Sequence, residues 1–252
     1  MPEWFETFEK CLWLRDREDR DDEADFLRRA LGLRAGDHVL DAPCGAGHVA
    51  VHLAREGVRV TGVDRNPAFI RRARRRLRDE RLPGEFFVGD LRRLDFDANF
   101  DAAFNWGGSF GYFSDAENLD VLRRLACAVR RGGRVLVDQV NRERVLRRFC
   151  PRFRRGELTV RNRWDLRTER VEGRWTVSLD GRRRTSRSSI RLYTPGQFRR
   201  LFEQGGLGDV RLYDGRQGAP YRRGARRIVA VGRRTQGRRV ASPAEEGGTV
   251  KP

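Results

Sequence analysis

Lysine is nearly missing from this chain: it stands only at positions 10 and 251, so 52 of the 54 basic side chains are arginine. No apolar run approaches the roughly 20 residues that carry a helix across a bilayer. Met1 to Arg15 lacks the basic, apolar, small-residue order of a secretory signal, so the chain reads as cytoplasmic. The four cysteines, Cys11, Cys44, Cys127 and Cys150, form no CxxC pair, which argues against a zinc cluster or disulfide framework and for reduced thiols. His48 and His52 are four apart, but without HExxH and with only His38 besides, packed or solvated histidines are expected and no metal.

What is present suits one domain with an elaboration: 252 residues, with 15 Phe and 5 Trp to fill a core. Charge is divided unevenly. Residues 1–150 hold 28 basic and 26 acidic side chains, whereas residues 151–252 hold 26 and 10. The arginine skew also fits codon usage in a GC-rich genome. Its concentration in the last two fifths predicts an anionic ligand, nucleic acid or acidic surface as partner, without choosing among them.

Residues 20–31 place Ala24, Leu27 and Leu31 at helical spacing before Gly32. Short apolar runs follow at Val39–Leu40, Val58–Val63, Phe86–Val88, Ala102–Phe104 and Val135–Val137, with helical stretches at Gly47–Arg55, Pro67–Arg78 and Asp115–Arg130 between them. That alternation predicts a parallel sheet with helices on both faces. After Asp138 the period becomes two: Trp175, Val177 and Leu179 alternate with Arg174, Thr176 and Ser178, and Asp180-Gly181 and Glu172-Gly173 read as hairpin turns. Thr194-Pro195 opens a helix that Gly205 stops, and strands near Asp209–Tyr213 and Arg227–Val231 complete the sheet. The expected division is an N-terminal segment 1–36, a main domain 37–232 with inserted strands at about 152–193, and a disordered tail 233–252.

Four motifs fall at successive strand ends. Val39-Leu40-Asp41 leads into Pro43-Cys44-Gly45-Ala46-Gly47, a glycine turn against which a ligand can lie. Asp41 before that turn would repel a diphosphate but suit a cation. Asp64 ends the next strand, where a carboxylate can take both hydroxyls of a ribose. Val88-Gly89-Asp90-Leu91 and Ala103-Phe104-Asn105-Trp106-Gly107-Gly108 follow. Open α/β sheets bind ligands along this edge, so the four can converge on one molecule with a cationic centre, a ribose and an adenine.

The set resembles the class I S-adenosylmethionine-dependent methyltransferases from Asp37 to Asp138, and more weakly to Val231. The resemblance implies a Rossmann-like seven-stranded sheet whose antiparallel seventh strand is Arg227–Val231, with an inserted antiparallel subdomain. It also implies S-adenosylmethionine as cofactor. Asp41 and Gly45, Ala46 and Gly47 would border its methionine part, Asp64 the ribose, Asp90 the adenine amine, Leu91 the ring, and Asn105 the amino-acid moiety or the methyl. FNWGGSFGYFSDAENL, the inserted strands and the aromatic stretch Trp4, Phe5, Phe8, Trp13, similar to a lid, resemble the sugar-amine and natural-product methyltransferases. In those, a motif similar to Ser109-Phe110-Gly111-Tyr112 follows the fourth strand.

The chemistry so implied is in-line displacement onto an O or N atom of a small-molecule acceptor. A base among Asp138, His48 and Tyr193 is left open, as is the oligomeric state, a dimer included. Arg182-Arg183-Arg184 and Arg152, Arg154 and Arg155 suggest an anion-binding rim at the substrate entrance, against the alternative of a solvated face. Two other functions compete: an RNA methyltransferase gripping phosphates with the basic region, and a cofactor-binding protein that transfers nothing. The absence of Pro-Pro-aromatic after Asn105 counts against base methylation. A dinucleotide site on Gly45-x-Gly47 conflicts with Asp41 and the later motifs.

Overall fold

The structure, a computed structural model, describes residues 21–179, 182–215 and 218–235. The aromatic stretch at residues 4–13, the Asp180-Gly181 turn and residues 236–252 of the expected tail lie outside the described residues.

Helix α1 (Asp21–Leu31) leads into β1 (His38–Asp41), α2 (His48–Arg55), β2 (Arg59–Asp64), α3 (Pro67–Glu80), β3 (Gly84–Val88), β4 (Phe100–Asn105), α4 (Asp115–Ala128) and β5 (Val129–Val140). Then come α5 (Arg142–Arg147), β6 (Arg152–Arg155), β7 (Leu158–Asp165), β8 (Arg170–Leu179), β9 (Arg182–Arg191), α6 (Pro195–Gln204), β10 (Leu207–Tyr213) and β11 (Arg227–Arg234).

Helix starts follow their side chains. Asn66 caps α3 by accepting from the Ala68 N–H, with Pro67 in the first turn, and Ser114 with Glu117 and Thr194 with Gln197 form capping boxes on α4 and α6. Seven strands make one sheet in the order β10-β11-β5-β4-β1-β2-β3. Neighbours from β5 to β3 pair in parallel, whereas β11 runs antiparallel to both β5 and β10, as the resemblance implied. Buried apolar residues form one cluster around Leu40, Phe100, Phe110 and Phe198 and a second around Val39, Leu53, Phe86 and Phe104. Leu40 and Val39 are consecutive in β1, so the two clusters lie on opposite faces of the sheet.

A second sheet, β6-β7-β8-β9, is antiparallel throughout. Its inner face carries the buried Leu158, Val160 and Val177 with Trp175. Glu172-Gly173 is not a turn: both residues pair inside β8, and the chain reverses at 166–169. Gly173 serves a different purpose, because a Cβ there would stand 2.5 Å from Ser188 Oγ and 2.7 Å from Trp175 Nε1, the two atoms that hydrogen-bond across it. Helix α4 stops at Ala128 rather than Arg130, since Val129 already pairs with Phe100. The last strand pairs through Arg233, inside the stretch expected to be tail, and runs to Arg234.

Candidate active site

The strand register sets the site. Asp41 lies opposite Phe104, Asp64 opposite Val88 and Asn105 opposite Val137, so the motif residues end adjacent strands on one edge. The four motifs are thereby brought together.

Asp64 is buried at the end of β2, where its Oδ2 accepts the Gly45 N–H at 3.0 Å and its Oδ1 the Asn66 N–H at 2.8 Å. Burial pushes its carboxyl up, and these two N–H donors only partly offset that. The glycines of the turn divide the work. At Gly45 (φ +54) a Cβ would meet nothing within 4 Å, so its surface is open, whereas at Gly47 (φ +73) a Cβ would press 2.9 Å from Ala73 Cβ of α3. Gly47 therefore packs helices, Gly45 leaves room, and Ala46 between them is buried. Asp41 is buried beside the turn. Cys44 is buried too, with its thiol on the Gly45 carbonyl, and burial raises its pKa, so it packs rather than reacts.

Asp90 opens a short turn of helix, Leu91–Arg93. Its Oδ1 accepts from the Arg92 N–H (2.9 Å) and Nε (3.2 Å), and its Oδ2 from Arg92 Nη2 (2.8 Å). Burial would raise this carboxyl, but Arg92 outweighs it and holds the pKa at about 2. Arg92 reaches on to Glu117 of α4 at 2.9 Å. Leu91 is 4 % exposed and sits in the core with Leu94 and Phe96, whereas Val88, 49 % exposed, is the apolar side chain open to solvent near this edge.

Asn105 is fully buried, and among the described residues neither its Oδ1 nor its Nδ2 has a hydrogen-bond partner. A buried amide left so costs about 1–3 kcal/mol, which only a polar ligand or water can recover. Beside it, a Cβ on Gly107 would meet nothing within 4 Å. Trp106 and Phe110 both prove to be core: Trp106 packs on Phe26 and donates to Glu23 Oε2 of α1 at 2.6 Å, and Phe110 packs against Tyr193 and Phe198. Gly111 is where the loop after β4 meets the second sheet. Its carbonyl accepts the Arg191 N–H at 2.8 Å, and a Cβ there would lie 2.5 Å from the Arg191 carbonyl oxygen.

Asp138, fully buried on β5, accepts the Gly108 N–H at 2.9 Å and forms an ion pair with Arg227 of β11. Burial raises its pKa against the pull of Arg227. Arg227 also lines a cavity of about 1130 Å3, bounded by Val140, Val145 and Phe149 on one side and by Phe153, Asn162 and Val171 of the second sheet on the other. Arg144, Arg148, Arg222 and Arg226 line it too, with Asp214 as the one carboxylate among the described residues, already paired with Arg222 at 3.0 Å. The suggested basic rim is corrected in part: Arg152, Arg154 and Arg183 line a separate depression on the outer face of the second sheet, whereas Arg155 and Arg184 stand opposite Leu158 and Val177 in the inner-face rows. The cavity arginines come from α5, its C-cap Arg148 and the approach to β11, where the sequence shows only Arg-Arg pairs. Of the candidate bases, Tyr193 is stacked on Phe198 with its hydroxyl bonded to Asn118 and its pKa pushed up to about 12 by burial, and His48 bonds Arg76.

Residues 39–133 match the family model described as a methyltransferase domain. Over 119 residues the chain is 36% identical to the S-adenosyl-L-methionine-dependent Diels-Alderase iccD of Talaromyces variabilis, covering 44% of this chain and 39% of that protein. The chain thus spans less than half of that curated relative. A S-adenosylmethionine-dependent methyltransferase structure from Clostridium acetobutylicum superposes with a TM-score of 0.72 at 17% identity, over 92% of this chain and 98% of that one. The sugar N-methyltransferase KedS8 from Streptoalloteichus gives 0.67 at 22%, over 94% of each. The motif-based resemblance is matched by these findings: residues 39–133 fit a methyltransferase-domain model, and the fold is that of the S-adenosylmethionine-dependent methyltransferase structures.

Proposed function

We propose that this chain is a methyltransferase that passes a methyl group from S-adenosylmethionine to an O or N atom of a small anionic acceptor. The observation that carries the reading is Asn105, a buried amide with no partner, at a strand edge where Gly45 and Gly107 face open space and buried carboxylates converge. The bound cofactor supplies an activated methyl on a sulfonium, so the protein's tasks are alignment, exclusion of water and charge placement.

Each carboxylate has capacity for its part. A carboxylate offers about four lone-pair sites. Asp64 uses one on each oxygen for N–H groups, which leaves one on each for the two ribose hydroxyls. Asp90 keeps one site on Oδ2 for the adenine amine, with Leu91 and the exposed Val88 flanking the ring. Asp41 beside Gly45, Ala46 and Gly47 favours the cationic end, and Asn105 satisfies its amide on the amino-acid moiety. The acceptor lies in the cavity under the second sheet, apolar surface against Val140 and Phe153 and acid group among Arg144, Arg148 and Arg226. Asp138 reaches that cavity through Arg227; an amine acceptor needs no base. Residues 37–232 then form the catalytic unit. No described helix is long and apolar enough to cross a membrane.

The test is turnover: purified chain, S-adenosylmethionine, and a panel of amines and alcohols with and without a carboxylate or phosphate. The reading predicts release of demethylated cofactor with anionic acceptors, falling as ionic strength rises. Methyl incorporation into RNA instead would support the RNA reading, and cofactor retention without turnover on any acceptor would support the noncatalytic one.

A further inference from the structure

We propose that the outer face of the second sheet binds the phosphodiester backbone of single-stranded nucleic acid, independently of the methyl-transfer site. Arg152 of β6, Arg161 of β7, Arg174 of β8 and Arg187 of β9 are direct cross-strand partners in one continuous row. All four are exposed. Adjacent strands lie about 4.8 Å apart, so the row stacks four guanidiniums across about 14 Å. Like charges directly opposite on neighbouring strands destabilise a sheet, and among the described residues no carboxylate is ion-paired to any of the four. Some arginines elsewhere in the chain are paired, as with Arg55 and Glu80 or Arg130 and Asp101.

The surroundings fit phosphate. The next row on this face is Arg154, Thr159, Thr176 and Thr185, and Arg183 stands opposite Ser178 beyond it, so hydroxyl donors interleave with the cations. Arg152, Arg154, Arg161 and Arg174 border a shallow depression of about 320 Å3. The described acids on this face have partners or lie at its edge: Glu172, in the adjacent row opposite Arg163, accepts from Ser189, Asp165 pairs with Arg163, and Glu157 sits at one corner. Among its described residues the face presents no aromatic ring to stack on a base and no apolar side chain to enter a lipid layer. That favours a backbone held by charge and hydroxyls, without regard to base sequence, over a membrane. The cavity lies on the opposite face of the same sheet, lined by Phe153, Asn162 and Val171.

The experiment measures fluorescence anisotropy of a labelled mixed-sequence 20-nucleotide RNA against the full chain between 50 and 200 mM salt. The double variant R161S/R174S, on the two central strands, should bind about tenfold or more weakly and lower the salt slope by about 1.4, from about 0.7 per phosphate contact. A charge-matched variant on α3, R71S/R75S, should bind as the parent does. Cofactor affinity of each variant, measured alongside, reports that the fold is intact; should R161S/R174S fail that check, R152S/R187S on the edge strands takes its place. Equal weakening by both doubles would overturn the proposal in favour of net charge alone. Unchanged binding by R161S/R174S would overturn it too, as would binding of phosphatidylglycerol vesicles without binding of RNA.

Discussion

At the carboxyl edge of the seven-stranded sheet each carboxylate has donors of its own, whereas on the outer face of the four-stranded sheet four guanidiniums stand in a row with no acid between them. Asp64 holds two backbone N–H groups, Asp90 is gripped by Arg92, and Asp138 has Gly108 and Arg227. Among the described residues, Arg152, Arg161, Arg174 and Arg187 are exposed and no carboxylate is ion-paired to them. The difference teaches how burial disciplines charge. An ion removed from water must be paired or it raises the energy of the fold by several kcal/mol, so buried charges come with built partners. On a solvated face the same crowding costs tenths, and a surface can keep it.

The comparison breaks most sharply at Arg227. Replacing it with Met leaves the fully buried Asp138 without its counter-charge, and chemical denaturation should show a loss of about 3–5 kcal/mol. A loss below about 1 kcal/mol would mean that Asp138 is already protonated and the pair is not ionic. Next comes Asp64→Ala: calorimetry should find cofactor affinity reduced by about 2–3 kcal/mol, because the ribose loses a charged acceptor and the Gly45 N–H loses its anchor. Unchanged affinity would remove Asp64 from the site.

Arg92→Ala should cost about 1–2 kcal/mol at neutral pH, with a sign that acid titration can check. The folded pKa of Asp90 is depressed to about 2, so the stability it contributes is full above the ordinary carboxylate range and is lost as pH falls through about 2. The variant should lose that acid-limb dependence. Asp64 works in the opposite sense: its folded pKa is raised, so its contribution is present at low pH and declines as pH rises past the ordinary carboxylate range. Smallest of all, Arg174→Thr should gain a few tenths of a kcal/mol at low salt and nothing at high salt, as like-charge repulsion across β7, β8 and β9 is relieved. Destabilisation instead would mean that the row is held by something other than solvent.

These particulars also explain what could be read from sequence. Strand-end motifs were legible because a parallel sheet with short crossovers leaves its strand ends little freedom: once β1, β2 and β4 are placed, Asp41, Asp64 and Asn105 must share an edge. The antiparallel insert was legible by its period of two, but its turn was misplaced, since Gly173 reads as a turn residue until Trp175 and Ser188 are seen meeting across it. Gly45 and Gly47 look equivalent in the sequence, yet one faces space and the other Ala73. Long-range pairs such as Glu23 with Trp106 and Asp138 with Arg227 leave no local mark, because their partners are 83 and 89 positions apart. The cavity arginines were missed for the same reason, whereas the visible runs at Arg152–Arg155 and Arg182–Arg184 drew attention to strands whose Arg152, Arg154 and Arg183 face away from it.

Isothermal titration of demethylated cofactor into the full chain, parent beside Asn105→Ala, addresses the core of this account. Saturable one-to-one binding by the parent, weakened in the variant while its thermal stability stays level or rises, is the predicted result, because the unpartnered amide is a burden until the ligand arrives. No heat of binding in the parent, or equal affinity in both with the variant destabilised, would contradict it.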